Sequence, residues 1–181
     1  MTNKIAKPLK IIDIRNFAQF TREKLVEART DKSIHLVKTL DILTFKLSKY
    51  DFNYVVLPDD NPLFERREEA KTDITTGTIY FKESVIYEAA HKRYCRANFT
   101  IAHEIGHFIL HRVLSPINFS RTASPVQPKV FEDPEWQADT FASEFLMPYE
   151  ECLSLTPKEI RRKYHVTISA AKTRYNKIHK N

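Results

Sequence analysis

RANFTIAHEIGHFILH, residues Arg96 to His111, reads as one amphipathic helix that carries three histidines, a glutamate and a glycine. His103 and His107 are four residues apart, so on a helix both imidazoles leave the same face about one turn apart and can converge on one ion. Glu104 follows the first histidine, rotated by ~100° around the helix, which points its carboxylate beside such an ion. This is His-Glu-x-x-His, the spacing in which two imidazoles ligate zinc and the glutamate takes a proton from a bound water. His111 continues the series but is a poor third ligand. Phe108-Ile109-Leu110 contain no glycine turn, and the rise over eight helical residues is ~12 Å. It is expected at the surface or behind the site. Gly106 costs ~1 kcal/mol against alanine inside a helix. The chain has only two glycines, so one placed here implies that another element packs closely against the helix.

A catalytic zinc takes three protein ligands, and the remaining one has to come from elsewhere. Glu135, opening a second strong helical pattern (Glu135 to Phe145), could complete a His₂Glu site from a neighbouring helix. Asp139, one turn on, would face the same way and could orient a ligand histidine. The same acidic group, Glu132, Asp133, Glu135 and Asp139, could equally serve only to stabilise the positive end of that helix. Spacing alone leaves both readings open.

The rest of the chain frames these two helices. Its 181 residues suit one well-buried core, and two glycines with nine prolines leave little material for β-rich turns. An α+β fold dominated by helices, with a small sheet, is therefore expected. Helices are predicted over Ile14 to Val26 and Ile34 to Leu47, and a strand over Asp51 to Leu57. Ile74 to Phe81 reads as two β-prone runs around Gly77, and Ser84 as the cap of a short helix. Ser115 to Pro134, with four prolines, reads as a long rim loop. The tail from Pro157 reads as helix, turn at His165 to Thr167, helix. The expected division is residues 1–148 as the metal-binding domain and 149–181 as a helical tail packed on the same core.

No apolar run is long enough for a signal-peptide core or a membrane span, which places the protein in the cytoplasm without membrane contact. Cys95 and Cys152 are expected as buried thiols. A net charge of +6 raises nucleic acid as a partner, although net charge alone says little about specific binding.

RANFTIAHEIGHFILH together with EWQADTFASEFLMP (Glu135 to Pro148) resembles the ImmA/IrrE family of regulatory metallopeptidases. That family pairs a Phe-Thr-x-Ala-His-Glu-x-Gly-His helix with a later Glu-x-x-Ala-Asn/Asp-x-Phe-Ala segment ending in Leu-Met-Pro. The likeness covers Ile74 to Pro148 well and the first sixty residues loosely. It implies a zincin-like fold with Zn²⁺ held by His103, His107 and Glu135, and Glu104 as the catalytic acid/base. It also implies a protein substrate, typically a co-encoded helix-turn-helix repressor in a mobile element, prophage or stress response. The short tail after Pro148 leaves no room for the added sensor-like domain of the radiation-response branch, so the mobile-element branch is the closer analogy. Tyr80, Tyr87, Tyr164 and His165 are candidates, by residue type only, for stabilising the oxyanion.

Two competing readings remain. One is a module that keeps the fold and holds a transcription factor or toxin-antitoxin partner without cutting it. The other is DNA binding by the tail, which from Pro157 onward carries eight Lys or Arg against Glu159 alone. A helical pair closing the core with a basic outer face accounts for the same pattern and is preferred.

Overall fold

The computed structural model describes residues 6–114 and 129–179. Residues 115–128, with Pro116, Pro125 and Pro128 of the expected rim, lie outside the described residues. The fold is α+β, mainly helical around a three-stranded sheet. Helices α1 (Ile11–Phe20) and α2 (Leu36–Lys46) precede strand β1 (Asn53–Leu57). A hairpin follows, of β2 (Ala70–Asp73) and β3 (Thr78–Lys82), and then α3 (Glu83–His91) and α4 (Ala97–Phe108). The chain ends in α5 (Pro134–Leu146), α6 (Tyr149–Cys152), α7 (Pro157–Tyr164) and α8 (Ile168–His179).

In the sheet, β3 is central: β1 pairs with it in parallel and β2 antiparallel. Its alternate residues Ile79 and Phe81 are fully buried, as the two-residue period of a strand requires. They meet Leu36, Leu40 and Leu43 of α2 and Ile101, Ile105 and Phe108 of α4 in one core. Phe52, just before β1, packs edge-on against Phe108 with ring centroids 4.7 Å apart. On the far side of α4 lies α5, whose Phe141 and Phe145 stack at 5.7 Å within the same core.

Three local expectations are corrected. The hairpin strands are Ala70–Asp73 and Thr78–Lys82, while residues 74–77 form the turn. The charged segment before Ile74 therefore contains a strand, because an edge strand pairs through its backbone and tolerates polar side chains such as Lys71. Ser84 does not cap α3. Lys82 occupies the cap position, and the Ser84 amide donates to Asp59 Oδ1 at 3.0 Å from inside the first turn. Finally, α1 and α4 each pass into a π turn, Thr21–Leu25 and Ile109–Val113, before ending.

Those turns place two arginines that lock the fold. Arg22, fully buried, donates to the carbonyls of Arg29, Lys32 and Phe145, tying the loop after α1 to the end of α5. Arg112 donates to the carbonyls of Tyr50, Ile74 and Thr75 at 2.7, 2.7 and 2.6 Å and pairs with Asp51 at 2.7 Å. It thereby fixes the hairpin turn to the end of α4. Gly77, at φ +82, completes that junction, since a Cβ there would lie 2.6 Å from the Asp51 carbonyl oxygen.

The tail is bound to the core. A Thr156 to Glu159 capping box starts α7, and His165 in the left-handed region ends it. Ile160, Tyr164, Val166 and Ala171 are buried, and Tyr164 donates its hydroxyl to the Thr30 carbonyl at 3.1 Å. Arg174 grips Glu144 of α5 through two hydrogen bonds, 2.8 and 2.6 Å, with Arg15 adding a third contact at 3.3 Å. Arg161 lies over the Tyr94 ring at 4.0 Å, whereas Arg162 and Lys172 are exposed. Both cysteines are free and buried, and burial pushes the Cys152 thiol up to about 11.

Arg174 and Glu144 are both buried, so Arg174→Met leaves a carboxylate short of its main partner. The expected loss is about 3 kcal/mol, against less than about 0.5 for Lys172→Met, read from denaturant midpoints.

Candidate metal centre

α4 and α5 pack along one another, and Gly106 faces Ala138 and Phe141 of α5. A Cβ there would lie 3.1 Å from the Phe141 ring, 3.2 Å from the Phe141 Cβ and 3.2 Å from the Ala138 carbonyl oxygen. Glycine thus lets α5 sit against the helix that bears the two motif histidines. The start of α5 is defined by Asp133, whose side chain accepts from the Glu135 amide at 2.9 Å, and by Pro134 in the first turn. Capping falls to Asp133, and Glu135 is left to face α4.

His103 and His107 approach through their Nε2 atoms, 2.9 Å apart. Glu135 spans them, with Oε2 3.3 Å from His103 Nε2 and Oε1 3.4 Å from His107 Nε2. One ligand atom from each of the three lies within 4.8 Å of the others, so the group could hold a metal ion. His103 Nδ1 is 2.8 Å from Asp139 Oδ1, which turns Nε2 toward the cluster. Two imidazole nitrogens and a carboxylate form a donor set suited to Zn²⁺.

The electrostatics fit a cation site. Burial by itself would lower the His103 pKa. Hydrogen bonds to Asp139 and Glu135, with the Glu104 charge, outweigh it and push the value up to about 10. Hydrogen bonds from His103 and His107 hold Glu135 well below the usual carboxylate range despite partial burial. Positive charge is favoured at the point where the three groups meet.

Glu104, 7% exposed, does not join the cluster. Its Oε2 accepts a 2.6 Å hydrogen bond from the Thr72 hydroxyl on β2. The groups open onto a cavity of about 300 Å³, bounded by Ala70, Lys71 and Thr72 of β2 on one side and by Pro134 and Glu135 on the other. Thr72 and Lys71 carry no sequence signal, because a threonine in a charged run becomes a partner of Glu104 only through the hairpin.

Of the two places expected for His111, the surface or behind the site, the structure shows the second. His111 is 4% exposed, lines the same cavity with its ring 5.5 Å from that of His107, and hydrogen-bonds the Pro134 backbone. Burial and the neighbouring His107 push its pKa down to about 4, so it is neutral at neutral pH. The four oxyanion candidates lie elsewhere, since none lines the cavity. Tyr164 is held by Thr30, Tyr87 stacks on His91, and His165 lies against Tyr94.

Zinc affinity, measured by chelator competition, is expected to fall ~10 to 100-fold in Asp139→Asn. The loss should be larger in Glu135→Ala, which removes a donor. Gly106→Val forces a side chain against Phe141 and is expected to cost ~1 to 3 kcal/mol in thermal unfolding while also weakening zinc binding.

Comparison with known proteins places the chain in a family. A Mycobacterium tuberculosis transcriptional regulator shares the fold, with a TM-score of 0.54 at 16% identity over 93% of this chain and 52% of that one. The chain thus spans about half the length of that protein. No curated protein matches the sequence. Among the described residues, no helix is long and apolar enough to cross a membrane. The profile of the M78 peptidases, described as an IrrE N-terminal-like domain, matches residues 37–176, from α2 to α8. The chain belongs to this ImmA/IrrE family of M78 peptidases.

Proposed function

We infer that this chain is a zinc-dependent endopeptidase whose substrate is a protein regulator, in the first instance a co-encoded helix-turn-helix repressor. The observation that carries the reading is the convergence of His103, His107 and Glu135 on one point, with Glu104 held beside it by Thr72. Membership of a peptidase family supports it, and the regulatory setting of that family supports the choice of substrate.

His103, His107 and Glu135 would hold the ion, which when bound supplies Lewis-acid polarisation of a peptide carbonyl and of water. The remaining work belongs to the chain. Among the described residues β2 pairs with β3 alone, and Ala70 to Thr72 line the cavity, so its other edge can add an extended peptide as a further strand. Glu104 accepts the proton of the attacking water and returns it to the leaving amine nitrogen. Thr72, donating to Oε2, keeps the carboxylate turned into the cavity. Lys71 lines the cavity and carries N–H donors that a developing oxyanion could meet.

The test is incubation of the zinc-loaded protein with the neighbouring repressor. Glu104→Gln is expected to slow cleavage ~100-fold or more with zinc retained. Thr72→Val should slow it about tenfold, the effect of one hydrogen bond to a charged group. Undiminished cleavage by Glu104→Gln would remove the proposal, and an intact repressor recovered in a zinc-containing complex would point instead to a module that holds its partner.

A further inference from the structure

The faces of α4 and α5 that meet at the metal centre do not stop there. On α4, stepping back from His107 by turns gives His103, Phe99 and Arg96. On α5, stepping forward from Glu135 gives Asp139, Ser143 and Met147. Phe99, Asp139, Ser143 and Met147 line a second cavity, of about 540 Å³, within the ~300 to 1,000 Å³ of small-ligand sites. Asp139 joins the two places, since it lines this cavity and hydrogen-bonds His103 at 2.8 Å. One helical turn rises ~5.4 Å, so the nearest wall lies within one or two residues of an extended peptide, at ~3.3 Å each, from the motif histidines.

The third wall comes from the tail. Val166, Ala170 and Thr173 line the cavity, and the Arg174 to Glu144 pair holds α8 against α5. Phe99, Met147, Val166 and Ala170 make the interior largely apolar. The charged groups of the lining are two exposed cations, Arg96 and Lys177, and the carboxylate of Asp139, which is engaged by His103, while Asn98, Thr167 and Ser169 add neutral polar groups. Such a lining repels lysine or arginine and offers no free anion to receive one.

We propose that this cavity is the specificity subsite of the peptidase, receiving a large neutral apolar side chain next to the scissile bond, with α8 as its outer wall. The assignment rests on the metallopeptidase reading. It gives the tail a role in choosing where a regulator is cut, independent of any contact with DNA.

The test uses two sets of peptide hydroxamates, whose variable side chain lies before or after the metal-chelating group and is hydrogen, isobutyl or carboxyethyl. Calorimetry is performed on the zinc-loaded protein. One set is expected to bind roughly tenfold or more tighter with isobutyl than with hydrogen, the effect of burying one leucine-sized side chain. Thr173→Trp on the exposed lip and, independently, Ala170→Leu inside should shrink that preference below about twofold, stoichiometric zinc showing that each variant is folded. Persistence of the preference in both variants, or tighter binding of carboxyethyl than isobutyl, overturns the assignment. Tight but indifferent binding of all three probes overturns it and leaves the metallopeptidase reading standing. Failure of every probe to bind zinc-loaded protein overturns both.

Discussion

Everything at the candidate metal centre depends on how closely two helices can approach. The ligand atoms of His103, His107 and Glu135 lie within 4.8 Å because a helix bearing a phenylalanine sits directly on a glycine. A side chain in place of that glycine would press on Phe141 and the Ala138 carbonyl of the helix that carries Glu135. The cost of glycine in a helix interior, ~1 kcal/mol, is thus offset by packing and by the donor set that the packing assembles. α5 cannot shift freely to compensate, for Arg22 holds its last turn by the Phe145 carbonyl and Arg174 holds Glu144.

A second constraint acts from the sheet side. Arg112 ends the motif helix and binds three carbonyls around the hairpin turn and the entry to β1. The register of β2 against α4 follows from that junction, and with it the placing of Thr72 against Glu104. One helix therefore organises both walls of the cleft: Gly106 admits α5, and Arg112 pins the hairpin. The basic tail, which by charge alone resembles a nucleic-acid reader, presents Ile160, Tyr164, Val166, Ala171 and one arginine, Arg174, inward. Its charge is what remains outside once a helical pair has closed the core.

Much of this was legible beforehand where the chemistry is local. The helical period puts His103 and His107 on one face, and it also shows that His111 is too far along the axis to share one ion with both. The same reasoning left His111 either at the surface or behind the site, and the fold takes the second alternative. A residue one turn beyond a ligand is turned outward or inward according to what packs there, and here the start of α5 covers it. Glu135 was ambiguous because an acidic helix start serves capping and ligation alike. Folding divides the work between neighbours, Asp133 capping and Glu135 turning to the histidines. The tyrosines chosen by type as oxyanion donors were misplaced, since residue type carries no information on distance.

The sequence by itself determined the α+β character of the fold, the helix that carries the paired histidines and the placing of a carboxylate, Glu104, beside them. These follow from periodicity and spacing, which act over a few residues. Tertiary structure alone decided that β2, a charged run with no strand signature, forms the wall of the cleft and supplies Thr72. It also decided that α8 lines a second cavity beside Asp139, the hydrogen-bond partner of His103. Both depend on packing and hydrogen bonds between segments tens of residues apart, and no local pattern records which distant surface will arrive.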